Sequence, residues 1–315
     1  MNDPSDLPES TNPTDQPQPQ RAWINLALFL LTIASTLYAG ALHEGADPFA
    51  DPASLLRGVP FSFTLMAILG THEMGHYVVG RRHKAAVSLP YFVPIPIGMG
   101  TLGAVIVQRA PFENRQVLFD LGIAGPLAGL VVAVPLLVLG LASSPVVPYQ
   151  AGEGFFFEGN SLFYLAIKYL VHGRLLPYGG LDVQINSMTF AAWLGLLVTF
   201  LNLLPIGQLD GGHVLYALLG RRAWPIATAL SQLLLLVGGL GWAGQFLNIP
   251  WLAQNFWSGW LIWGVLTMWM RPQHPPPLDD SVPLGPGRTW LGLLAVIVFF
   301  LLFTRVPFSF EPVLF

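Results

Sequence analysis

The sequence predicts an all-α polytopic membrane protein with about seven transmembrane helices and a small β-hairpin or re-entrant segment around 85–112. Three observations carry this expectation. Only 10% of the 315 residues are charged, against about a quarter in an average soluble domain. Hydrophobic residues make up 53%, and the mean hydropathy is +0.59, so the chain has too little polar surface to cover itself in water. Several apolar stretches also reach or approach the roughly 20 residues that cross a bilayer.

The predicted spans are 22–42, 60–80, 117–142, 186–204, 224–246, 254–271 and 289–305. Lysine and arginine orient them. With the N-terminus in the cytosol, Arg21, Arg81, Arg82, Lys84, Arg109, Arg115, Arg221, Arg222, Arg271 and Arg288 fall on the cytosolic side. Arg57, Lys168, Arg174 and Arg305 fall outside. The bias predicts a cytosolic N-terminus and an external C-terminus.

Between the spans the chain changes character. Residues 1–20, "MNDPSDLPESTNPTDQPQPQ", are polar and rich in proline and glutamine, which predicts a disordered tail rather than a signal or transit peptide. Residues 85–116 carry Pro90, Pro94, Pro96 and Pro111 among β-branched residues, which argues for short strands over a spanning helix. Such backbone survives at membrane depth only when buried in protein or lining wet space. Residues 143–185 read as an external loop holding a short interfacial helix, "NSLFYLAIKYLVHG". Residues 272–288 read as a proline-rich linker before the last span.

Composition also limits the chemistry. The chain has no cysteine and a net charge of -3. Disulfides, thiolate ligands and cysteine nucleophiles are excluded, and a nucleic-acid partner is disfavoured. Any metal must be held by histidine, aspartate or glutamate.

The segment "GTHEMGHYVVG", 70–80, places ionisable groups inside an apolar run, where they are costly and usually functional. His72-Glu73-Met74-Gly75-His76 is an H-E-x-x-H match. On a helix, i and i+4 share a face, so His72 and His76 can grip one ion while Glu73 acts on a water molecule beside it. The bland alternative is that both histidines bond to neighbouring helices and Glu73 pairs with an arginine. Catalytic zinc commonly takes three protein ligands. Asp210, in "NLLPIGQLDGGH", 202–213, is the candidate third. Pro205 and Gly207 should break the helix there, and a broken helix end bearing an acid is a common intramembrane ion site. His72 precedes Arg81 by nine residues and Asp210 precedes Arg221 by eleven, so both lie at similar depth.

These two motifs together resemble the site-2 protease family of intramembrane zinc metalloproteases, peptidase family M50. The match to the family's H-E-x-x-H falls on His72, Glu73 and His76. The match to its N-x-x-P-x-P-x-L-D-G falls on Asn202, Pro205, Leu209, Asp210 and Gly211. The family's second proline is Gly207 here. "FDLGIAGPLAGL", 119–130, resembles the family's A-G-P helix, and "GTLGAVIVQRAPFENR" resembles the strands of its bacterial and plastid branch without PDZ or CBS modules. Gly125 and Gly129 form G-x-x-x-G, which permits close helix approach.

The resemblance covers roughly 60–215 and implies one Zn2+ per chain on His72, His76 and Asp210, with Glu73 as general base. Its substrates would be transmembrane proteins cut within the bilayer. Asn202 is a candidate donor to the oxyanion or the substrate backbone, and His213 a candidate support for a ligand. An exposed strand edge in 85–108 could receive an unwound substrate segment. On this reading 21–271 is the membrane-embedded protease domain and 289–315 the last helix and tail, in a bacterial inner membrane, with a plastid membrane as the alternative. Two rivals stand beside it. A metal or ion transporter would use the same ligands without needing Glu73, and a non-catalytic homologue would only bind membrane proteins.

Overall fold

The computed structural model describes residues 22–148 and 157–309, so the predicted tail at 1–20 lies outside the described residues, as do Glu153 and Glu311. The chain begins with α1 (Ala22–His43). A short 3-10 turn (Pro52–Gly58) leads into α2 (Val59–Arg82), and a hairpin follows, β1 (Tyr91–Pro94) and β2 (Thr101–Val105). Next come α3 (Arg115–Ala142), β3 (Val146–Pro148), β4 (Phe157–Glu158), α4 (Leu162–His172) and β5 (Leu181–Val183). The second half is helical: α5 (Ser187–Asn202), α6 (Asp210–Leu219), α7 (Ala223–Phe246), α8 (Pro250–Asn255), α9 (Gly259–Trp269) and α10 (Pro286–Leu302), ending in β6 (Phe308–Ser309).

Among the described residues, four helical runs are long and apolar enough to cross a membrane: Ala22–His43, Pro52–Arg82, Arg115–Ala142 and Asp210–Phe246. The predicted span at 224–246 is therefore the second part of a longer run that starts at Asp210. The spans expected at 186–204, 254–271 and 289–305 are the shorter helices α5, α9 and α10. The first two have a local cause. The chain leaves α5 ahead of Pro205, which lacks an N–H, and Gly207, whose φ is +55°. The 254–271 stretch is interrupted where α8 ends and Phe256 becomes extended, leaving α9 with 11 residues, about 16 Å of rise.

The expected strand segment is a hairpin. β1 and β2 pair antiparallel, with Tyr91 opposite Val105 and Phe92 opposite Ala104. α1 satisfies backbone groups at the hairpin's start and its turn. The buried Asn25 amide donates to the carbonyls of Leu89 and Pro90 at 3.1 and 2.8 Å, and the Ser35 hydroxyl donates to that of Gly100 at 2.6 Å. This is how irregular backbone is tolerated beside apolar helices.

The 143–185 stretch is more ordered than a plain loop. β3 pairs with β5 and β4 with β6. α4 is the helix expected in "NSLFYLAIKYLVHG", capped by the Ser161 hydroxyl and closed by Gly173 at φ +70°. Lys168, on α4, is fully buried between the carboxylates of Asp182 (3.2 Å) and Glu158 (3.5 Å).

The proline-rich stretch expected as a linker packs as a strap along α3 and α6. The main-chain N–H groups of Leu278 and Asp279 donate to the carbonyls of Phe112 and Glu113 at 2.9 and 2.8 Å. Arg115 bonds Asp280 at 2.7 Å, and Arg288 clamps Asp120 through two bonds of 2.7 and 2.8 Å. His83 reaches the same Asp120 at 2.9 Å. These groups had no partner in the sequence reading because the pairs are separated by up to 168 positions.

α3 is the central helix. Asn114 caps it by accepting from the N–H groups of Gln116 and Val117. It packs against α2, α5 and α6. Its small residues permit this: a Cβ on Gly122 would stand 2.6 Å from the Cβ of His213, and Gly75 of α2 sits as close to the carbonyl of Ala124.

Candidate metal centre

α2 carries the first part of the site. His72 and His76, one turn apart, present their Nε2 atoms 3.1 Å from each other. α6 supplies the rest. Asp210 is its first residue, where the unpaired N–H groups of the helix start favour a carboxylate. One carboxylate oxygen of Asp210 lies 3.2 Å from His72 Nε2 and 3.3 Å from His76 Nε2. Residues separated by more than 130 positions thus meet in a triangle of ligand atoms.

The chain turn before Asp210 depends on glycine. Gly207 adopts φ +55°, which proline cannot reach. A Cβ on Gly211 or Gly212 would run into main-chain atoms of Leu203 or of Ile206 and Gly207. The family-pattern proline replaced by Gly207 would also remove a hydrogen bond made here, from the Gly207 N–H to the Pro272 carbonyl at 2.8 Å.

α3 orients the ligands. The Nδ1 of His76 is 2.8 Å from the carbonyl of Leu121. A carbonyl only accepts, so Nδ1 carries the proton and Nε2 presents its lone pair. Gly125 leaves room for the His76 ring, and Gly129 lies against His72, where a Cβ would be 3.4 Å from the His72 Cβ. The G-x-x-x-G pair read from the sequence therefore faces the two histidines. Gly122 completes the same helix face; its spacing of three from Gly125 was a signal in the sequence, but one that many lipid-embedded helices share.

The donor set fits zinc. Ligand atoms about 2.0–2.2 Å from a tetrahedral ion stand about 3.3–3.5 Å from one another; here they are 3.1, 3.2 and 3.3 Å apart. The charge also fits. Glu73 is only 6% exposed and Asp210 is partly buried beside it. Among the described residues neither meets a lysine or arginine, and Glu73 has no hydrogen-bond partner. Two such carboxylates cost several kcal/mol without a counter-charge, and one divalent cation balances both. The arginine pairing considered for Glu73 is absent among the described residues.

Two further expected residues separate here. The Asn202 amide lies 3.4 Å from His72 Nε2, at the edge of the triangle. His213 meets none of the three ligands; its Nδ1 bonds His274 Nε2 at 2.7 Å. His274, within the stretch 272–288 read from the sequence as a proline-rich linker, is 4% exposed. No local pattern marked it, since its partner lies 61 positions away.

Comparison with known proteins identifies relatives of the chain. The chain is 28% identical over 320 residues to the probable zinc metalloprotease EGY1, chloroplastic, of Oryza sativa subsp. japonica, covering 93% of this chain and 52% of that protein. It is 29% identical over 314 residues to the Arabidopsis thaliana protein of that name, covering 90% and 53%. With the probable zinc metalloprotease EGY2, chloroplastic, of Oryza sativa subsp. indica it shares 29% over 300 residues, covering 92% and 51%. The chain thus spans about half the length of these relatives. No solved structure matches it. Residues 60–240, more than half of the chain and the part that holds both halves of the ligand triangle, match the model of peptidase family M50, and the chain belongs to that family.

Proposed function

We propose that this chain is an intramembrane zinc metalloprotease that hydrolyses peptide bonds within or beside transmembrane segments of membrane proteins. The observation that carries the reading is the triangle of His72, His76 and Asp210 ligand atoms with Glu73 between the two histidines. Relatives named as zinc metalloproteases and the family match support it.

His72, His76 and Asp210 would hold the zinc ion. When bound, zinc polarises the scissile carbonyl and acidifies water. The chain's own residues do the rest. Leu121 holds His76 in one tautomer. Glu73, buried and unpaired among the described residues, takes a proton from the attacking water and returns it to the leaving amine. The Asn202 amide, beside His72, donates to the carbonyl oxygen as charge develops on it. The outer edge of β2, with Leu102 and Val105 exposed, offers strand pairing to a locally unwound substrate. Proline at 102 or 104 should then slow cleavage; unchanged cleavage would sink the edge-pairing idea.

α5 and α10, about 24–26 Å long, and the shorter α9 would add to the four long runs to complete seven crossings of a core about 30 Å thick. The core at 60–215, the whole embedded domain at 21–271 and the last helix would share one membrane. The lysine and arginine bias places the N-terminus in the cytosol. A bacterial inner membrane remains part of this reading beside the chloroplastic names of the relatives. Because the chain lacks cysteine, single cysteines near Arg82 and Arg174 would report their sides unambiguously to an impermeant thiol reagent. Labelling of both from one side would overturn the topology.

The decisive test is cleavage of a single-pass substrate by purified protein, wild type beside Glu73→Gln, with zinc measured on both. The reading requires about one zinc per chain in each and cleavage by wild type alone. Zinc in both with equal transport and no Glu73-dependent cleavage would favour the transporter. No zinc in either would remove the site itself.

A further inference from the structure

The strap after Arg271 meets the start of α6 in two places. The Gly207 N–H donates to the Pro272 carbonyl, and His213 bonds His274. The second contact has a fixed direction. His274 Nδ1 faces the Pro275 carbonyl, an acceptor only, so Nδ1 carries the proton. His274 Nε2 therefore accepts, and the Nδ1–H of His213 donates.

His274 is itself held rigidly. The Trp224 indole N–H donates to its carbonyl at 2.9 Å, and its ring lies 5.2 Å from that of Tyr216 and 6.4 Å from that of Phe112. Burial pushes its pKa down to about 4, which keeps the ring neutral near pH 7. On the opposite side His213 packs against Gly122 of α3, and the Asp210 carbonyl approaches the same point, 3.1 Å from where a Gly122 Cβ would stand. His213 is thus wedged between α3 and the strap, one turn after Asp210.

Asp210 differs from the other ligands in one respect. His72 and His76 share a helix, so their spacing is set by helix geometry alone. Asp210 sits just after a turn with Gly207 at positive φ and just before Gly211 and Gly212, so no helix shared with the histidines sets its distance from them. Its carboxylate is placed by whatever anchors the first turn of α6.

We infer that His274 is a positioning residue for the metal centre: through His213 it fixes the first turn of α6, and with it the Asp210 carboxylate, against His72 and His76. This rests on the zinc reading of the triangle. Partners bonded directly to metal ligands typically change affinity by about 10–100-fold when lost, and His274, acting one residue further back, belongs at the lower end of that range.

The test compares wild type, His274→Phe and His274→Gln in detergent, each zinc-loaded, by zinc release to a chelator, thermal unfolding and substrate cleavage. Phenylalanine fills the ring's place without an acceptor; glutamine places an amide oxygen near the position of Nε2. The expected result is release roughly tenfold or more faster from His274→Phe and within about threefold of wild type from His274→Gln. Equal release from wild type and His274→Phe overturns the inference. Equal loss in both variants also overturns it, because ring packing and not the hydrogen bond would then matter. If His274→Phe does not fold, His213→Phe removes the bond from its other end and is judged by the same outcomes. A wild type that binds no zinc sinks the zinc reading and this inference together, whereas zinc-loaded wild type with unaffected variants sinks only the inference.

Discussion

The Nδ1–H of His76 donates to the main-chain carbonyl of Leu121 across 2.8 Å. One helix supplies the candidate ligand and a second decides which of its nitrogens is free. The sequence pattern puts His72 and His76 on one face, but only this contact turns the His76 lone pair toward His72 and Asp210. Gly125, one turn along α3 from Leu121, is what lets the ring lie there.

Enlarging Gly125 should therefore eject the ligand. With Gly125→Val, a Cβ would occupy the space of the His76 ring. Zinc per chain should fall from about one to under about a tenth, read by elemental analysis after gel filtration. Gly70→Ala in α2 is the control. Nothing lies within 4 Å of its Cβ position, so it should keep full zinc and gain about 0.5–1 kcal/mol of helix stability.

Restoring the family-pattern proline should harm this protein. Gly207→Pro meets a φ of +55° and removes the N–H that bonds Pro272. Strain and the lost bond together should cost about 2–4 kcal/mol. Thermal unfolding in detergent checks it; an unchanged or raised midpoint would show that the turn can take the other shape.

Lys168→Met should destabilise the segment outside the metal centre. It leaves Glu158 and Asp182 buried without their cation, at a cost of about 3–5 kcal/mol. The triple change to Met, Gln and Asn at 168, 158 and 182 should recover most of that. Recovery is read from unfolding midpoints, and a triple variant no better than Lys168→Met would contradict the account.

Strap docking should weaken in mild acid. Burial lowers the pKa of His274 to about 4 when docked, whereas a free imidazole titrates near about 6.5. The undocked ring binds a proton more readily, so docking is strongest above about pH 6.5 and weakens as pH falls toward about 4. The groups around the ring are His213, Tyr216 and the Pro275 carbonyl, none of them an acid that would stabilise the imidazolium. Asp280 acts in the same sense at lower pH: the Arg115 hydrogen bond holds its carboxyl below the usual range, and that contribution fades in acid. Hydrogen exchange at the Leu278 and Asp279 amides, corrected for intrinsic rate, should speed up between pH 7.5 and 5. Protection independent of pH would show that His274 is not held neutral.

Features that depend on local spacing are legible along the chain. H-E-x-x-H places His72, Glu73 and His76 by helix periodicity alone. "NLLPIGQLDGGH" announces a helix break with an acid at its end, because proline lacks an N–H and glycine tolerates positive φ. The prolines of 85–116 exclude a spanning helix, and the hairpin follows. The apolar runs mark the helices, though not their ends, because α5 and α9 stop at turns that hydropathy does not register.

Tertiary structure decided everything that depends on distant partners. The approach of Asp210 to the histidines, the His76 tautomer set by Leu121, the His213–His274 bond and the docking of the strap through Asp280 and Arg288 join residues 45 to 168 positions apart. Their side chains carry no local signature, since an isolated arginine before a span reads as an interface anchor whether or not an aspartate waits on another helix. A one-dimensional pattern fixes which groups a helix presents. Which of them meet is settled only when small residues such as Gly122, Gly125 and Gly129 allow the helices to close on one another.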